Sequence, residues 1–174
     1  MNFHTVTRFA ACALLALAPQ AHAITTMPTS SSYTVTHNTE VAATPAAVFA
    51  ALGEIDKWWS SDHTYSGKAQ NLKIEMRGGG CFCETWEGGS VEHARVVAVL
   101  RDRLLRLEGG LGPLQDRAVT AILSFTITPA GDRTKLLVVY RIRAAEGALE
   151  NTAEGVDRVI GEQVKRLTTF IERK

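Results

Sequence analysis

The chain has only three cysteines among 174 residues, too few for the disulfide framework of a small secreted scaffold and too few for a cysteine-rich metal cluster. It has no surplus of either charge: 19 basic residues face 18 acidic ones, so nothing favours nucleic acid or an acidic membrane surface as partner. No glycine loop opens a helix in the Walker or dinucleotide manner, because Gly78-Gly79-Gly80 leads into a strand, and no nucleotide cofactor is expected. A hydrolase triad is also unsupported: Ser60-Ser61-Asp62-His63 lacks the strand-to-helix elbow that exposes a nucleophile. Internal repeats are absent. No apolar run, the N-terminal one included, is long enough to span a membrane.

The N-terminus is different. Arg8 precedes the apolar run 9–18, followed by Pro19 and the small-x-small site Ala21-His22-Ala23. This pattern predicts a signal peptide over 1–23 and hence a periplasmic or secreted protein. Its removal takes Arg8 and no acidic residue, leaving balanced charge, and takes Cys12, leaving Cys81 and Cys83. Residues 24–32 read as a flexible leader and 33–174 as a single domain.

Tyr33–Val41 alternates and is β-branched, predicting a strand. Thr44-Pro45 offers an N-cap and a first-turn proline, with Val48, Phe49, Leu52 and Ile55 on one helical face. Further strands are expected at 71–77, 81–87, 91–100, 103–108, 120–128 and 134–143. A final helix keeps its 3.6-residue period from Val156 through Ile160, Val164, Leu167 and Ile171, with Asn151 and Glu154 as a capping box. The resulting class is α+β. An antiparallel sheet of about six to seven strands must have its apolar face covered, and only the terminal helix is long and apolar enough to do so. The sheet is expected to curl around that helix in a helix-grip fold.

The richest segment is 78–96. With Gly88-Gly89 as a two-residue loop, Glu84 pairs with His93 and Phe82 with Arg95. Phe82, Glu84, Trp86, His93 and Arg95 then share one face. Either that face looks inward, or a register slip of one residue turns it to solvent. If inward, the charges form a structural network or a ligand-contacting cluster, in which Glu84 and His93 could do acid–base work and Arg95 could clamp an anion. Cys81 and Cys83 fall on the opposite face, as packed thiols or as a redox pair. Scattered His37, His63 and His93 predict no metal site.

Several features resemble the SRPBCC superfamily of START-like, birch-pollen-allergen-like domains, in particular the branch with homologues of the heat-shock chaperone ATPase activator. They are Thr44–Leu52 with Trp58-Trp59, the Gly78-Gly79-Gly80-Cys81-Phe82 entry, the late strand pair and the helix from Gly155 to Phe170. The resemblance spans about 33–172. It implies a cavity between sheet and terminal helix, with Phe82 and its face turned inward, often filled by a hydrophobic small molecule. An ATPase-activator role does not carry over to an exported chain. The resemblance therefore implies an exported carrier of a hydrophobic or amphipathic ligand, contacted by Phe82, Glu84, Trp86, His93, Arg95 and Trp59. The alternatives are a polyketide cyclase-like enzyme using Glu84 and His93, and an envelope protein-interaction or chaperone-like module. The segment from Gly109 to Leu114 resembles a gate at the cavity mouth, where His63 and Tyr65 could also lie.

Overall fold

The computed structural model describes residues 29–174 together with the backbone of a two-residue strand, β1 (His22–Ala23). The signal-peptide reading therefore falls outside the described residues. Of the expected leader, only its end is described. There Ser30 and Ser31 accept hydrogen bonds from the amides of Leu149 and Ala144, so the segment is tied down just before the first long strand.

That strand, β2 (Ser32–Val41), buries alternate residues, among them Tyr33, Val35 and His37. Helix α1 (Pro45–Gly53) follows, and the Thr44 hydroxyl accepts from the Ala47 amide at 3.2 Å, as the N-cap pattern predicts. A break at Glu54 separates α1 from the single turn α2 (Ile55–Trp58). The chain then crosses to the far edge of the sheet at β3 (Leu72–Ile74) and returns as a meander. Its strands are β4 (Cys81–Trp86), β5 (Gly89–Leu100), β6 (Leu104–Glu108), β7 (Thr120–Ala130) and β8 (Arg133–Arg143). All pairings are antiparallel and the order is β1-β2-β8-β7-β6-β5-β4-β3.

Helix α3 (Ala153–Glu172) covers the concave face, giving the expected α+β helix grip. Ile160, Val164, Leu167 and Ile171 are its buried residues of the apolar period, packed in one core with Val35, Leu52, Leu123 and Leu136. Each such side chain contributes about 1.5–3 kcal/mol. Its start differs from the capping-box expectation. Asn151 adopts a left-handed conformation (φ 59°), and Thr152 takes the cap position without a side-chain cap bond. The Thr152 hydroxyl instead lies 2.8 Å from the Leu149 carbonyl and 3.0 Å from the Tyr33 hydroxyl. No described helix is long and apolar enough to cross a membrane.

The β4–β5 hairpin departs from the predicted register. Trp86 pairs with Gly89, so the turn is Glu87-Gly88, and Glu84 lies opposite Val91 rather than His93. The second glycine has another use: a Cβ at Gly89 would collide with the Trp86 ring. The shift is two residues, which preserves the face. Two bulges in β5 then change it. At the first, Cys83 pairs with Glu92 and Phe82 with Ala94, leaving His93 as the extra residue. A bulge turns the strand beyond it over by one position. His93 and Ala94 are consequently both buried, whereas Arg95 is exposed on the outer face. A second bulge between Val96 and Ala98 reverses the alternation again.

Cys81 and Cys83 lie on the face opposite Glu84, as expected, and that face is the outer one; they are half-buried and joined as a disulfide rather than packed as thiols. Because this bond closes a loop of only three residues, loop entropy gives it roughly 1.6 kcal/mol.

Candidate functional site

Between the first half of α3 and the open end of the sheet lies a hollow of about 650 Å³. Its floor includes His93 and Tyr140; Trp59 forms one wall and Val156, Val159 and Ile160 of α3 another. The helix thus uses one apolar stripe in two ways. Toward its C-terminus the stripe packs on the sheet; toward its N-terminus Val156 and Val159 line the hollow and are only half-buried, Val156 still touching the core and Val159 not.

Glu84 stands directly behind the hollow and is 0 % exposed. One oxygen, Oε2, accepts from the Tyr65 amide at 2.9 Å and is 3.0 Å from His93 Nε2; the other accepts from the Ser66 amide at 2.6 Å. Burial alone would push this carboxyl up, but the bonds from Ser66, Tyr65 and His93 outweigh it and hold the group below its ordinary value. Burial pushes His93 the other way, below the ordinary imidazole value, and outweighs its bond to Glu84. Near neutral pH the pair is therefore a carboxylate and a neutral imidazole. An anionic acceptor at Nε2 requires that nitrogen to carry the proton. Nδ1 is left with its lone pair, and no described protein group bonds to it. The ring is fixed by stacking on Phe82 at 4.9 Å, and Phe82 in turn meets the Trp59 edge at 5.5 Å.

The loop after α2 reaches this site because its ends are anchored. The Trp59 indole donates to the His63 carbonyl at 3.0 Å, and His63 Nε2 is 3.1 Å from Glu162 of α3. That contact with His63 is the main cause holding the Glu162 carboxyl below its ordinary value. Gln163 accepts from the Ser60 amide at 2.8 Å. Tyr65 then bridges the loop to the turn at Gly112–Arg117, its hydroxyl 3.1 Å from Gln115 Oε1 and 3.3 Å from the Gly112 carbonyl.

Tyr140 secures the segment resembling a gate. Its hydroxyl donates to the Gly109 carbonyl and accepts from the Leu111 amide, both at 2.9 Å, while burial pushes its own pKa up. Gly109 allows the segment to lie against β5, since a Cβ there would come within 2.6 Å of the His93 carbonyl. Above it, Arg117, Arg158, Asp62 and Asp116 supply charges of both signs to the lining.

Of the residues singled out from sequence, His93 and Trp59 line the hollow, and Glu84 and Phe82 hold His93 from behind. Arg95 does not join them: its Nη2 lies 2.8 Å from both oxygens of Glu92 on the outer face. Trp86 lies at the hairpin tip against Gly89, away from the hollow. Sequence reading missed Tyr140, Val156 and Val159 as lining residues. A signal for the first was present, since Tyr140 puts a polar-tipped aromatic among the inward-alternating Leu136, Val138 and Ile142.

No known protein family and no curated protein matches the sequence. Solved structures do match the fold. The chain resembles protein MLL2253 from Mesorhizobium loti at 17 % identity and a TM-score of 0.61, over 81 % of this chain and 98 % of that one. CalU16 from Micromonospora echinospora is similar at 14 % identity and 0.59, over 88 % and 87 %. A putative uncharacterized protein from Rhizobium leguminosarum is similar at 16 % and 0.61, over 90 % and 100 %. At these identities the likeness concerns the fold.

Proposed function

We propose that this chain is an exported small-molecule-binding protein of the SRPBCC kind, holding a hydrophobic or amphipathic ligand between the sheet and the first half of α3. The observation that carries this reading is Val159: an apolar side chain on a well-formed helix lines the hollow, only half-buried and outside the packed core, with Val156 at the hollow's edge. Leaving that surface wet costs about 25 cal/mol per Å², which an apolar ligand would recover. The volume of about 650 Å³ suits a small organic molecule. His93 offers it one directed acceptor. The signal-peptide pattern of the sequence over 1–23 supports export.

Titration with 8-anilinonaphthalene-1-sulfonate, an amphipathic aromatic probe, tests the reading. Saturable binding of one dye per chain is expected, lost in Val159→Trp, which fills the space, and weakened in Trp59→Ala. Equal dye binding by a folded Val159→Trp protein would overturn it. Trp86→Ala is expected to leave binding unchanged, since that ring sits elsewhere.

The Glu84–His93 pair supports a second reading, a cyclase-like enzyme. A carboxylate that fixes the tautomer and leaves the far nitrogen unbonded is the arrangement of a general base. Such a protein would accelerate deuterium exchange of an enolisable aryl ketone, and His93→Gln would abolish the acceleration while retaining dye binding. Exchange no faster than in buffer would discard this reading.

A further inference from the structure

The outer face of β4 carries chemistry unrelated to the hollow. The Cys81–Cys83 disulfide joins next-nearest residues of one strand, with Cα atoms 5.4 Å apart. That strand is already paired to β3 and β5 on its two sides, so the bond connects no separate elements and does little as a staple. Its surroundings are more informative. Lys73 of β3 stands directly across from Cys83, and Arg95 of β5 directly across from Cys81. Both cations are exposed. Directly opposed residues share a face, with Cβ atoms about 4.5–5.5 Å apart. Glu92, opposite Cys83, binds Arg95 at 2.8 Å and brings Oε2 to 4.0 Å from the Cys81 sulfur. Two cations and one carboxylate therefore surround a half-buried disulfide. A thiolate is both the nucleophile and the leaving group of disulfide exchange, and neighbouring cations stabilise it. The Glu92 carboxylate opposes a thiolate at Cys81 and engages Arg95, so Cys83, across from Lys73, is the better leaving sulfur.

We infer that Cys81 and Cys83 form a thiol–disulfide exchange site whose co-substrates are small thiols of the glutathione class. An incoming thiolate attacks one sulfur, forming a mixed disulfide. The Cys81–Cys83 bond breaks, and its electron pair leaves on the other cysteine as a thiolate, best on Cys83 across from Lys73. A second thiolate attacks the mixed disulfide and releases the oxidised small molecule. Two thiols are thereby oxidised, and the cysteine pair gains two electrons and two protons.

The test equilibrates the folded full chain, in a Cys12→Ser background, with mixtures of reduced and oxidised glutathione at pH 7. Alkylation and intact mass then count the free thiols. Reversible conversion with unchanged circular dichroism is expected, and Cys81→Ser and Cys83→Ser should each trap one glutathione adduct. Reversing both charges (Lys73→Glu with Arg95→Glu) should slow exchange on the order of tenfold. A disulfide that glutathione reduces only after unfolding in urea, or a folded charge-reversed variant that exchanges as fast as the parent, would overturn the inference.

Discussion

Glu84 places the strictest demands on its surroundings. A fully buried carboxylate is tolerated only if its oxygens are bonded, and here two backbone amides and an imidazole meet them. Replacing it by glutamine puts an amide NH₂ against at least one N–H donor. Glu84→Gln should therefore lose about 3 kcal/mol, read as a lower urea midpoint. The pH dependence has a definite sign. An unfolded histidine takes its proton near 6.5, and folded His93 only at lower pH. Between those values the unfolded chain holds more protons, so stability falls as pH drops below 6.5. Glu84 acts in the same direction: its contribution is complete above the unfolded value of 4.5 and is lost as pH falls through the lower folded value. Urea midpoints measured against pH should flatten just below 6.5 in His93→Gln, and a profile identical to the parent would contradict this account. The candidates Glu84 and His93 were legible in sequence as a polar pair on a strand-rich hairpin. Their separation from Arg95 was not, because one bulge of one residue decides it and neither glycine nor proline marks Glu92-His93-Ala94-Arg95.

At the scale of elements, the segment following β6 owes its position to Tyr140 and Gly109. Tyr140→Phe would leave the Leu111 amide and the Gly109 carbonyl without their partner, a cost of about 1–3 kcal/mol. Hydrogen exchange at the Leu111 amide should quicken in that variant more than exchange in the middle of β7. Gly109→Ala should cost a similar amount, since the added methyl meets the backbone of β5 rather than a side chain that can move. The strands themselves were readable from alternation, and the hairpin turn was nearly so. The glycine pair signalled a turn, but the loop is Glu87-Gly88, and Gly89 instead begins the next strand beneath the Trp86 ring.

At the scale of the whole molecule, the two halves of α3 should respond differently to the same kind of change. Leu167 is fully buried, and Leu167→Ala should cost about 2–5 kcal/mol. Val159→Ala, at the hollow and outside the packed core, should cost under about 1 kcal/mol because it widens an existing space rather than opening a new cavity; its effect belongs in dye affinity rather than in the urea midpoint. By itself the sequence determined the α+β class, the element order and the terminal helix as cover for the sheet, because periodicity and turn residues act over a few positions and need no partner. Tertiary structure alone decided which part of that helix touches the sheet, which face Arg95 occupies and that Tyr140 meets the segment after β6. These depend on bulges, sheet curvature and pairings between residues about thirty or more positions apart, and no local pattern encodes them.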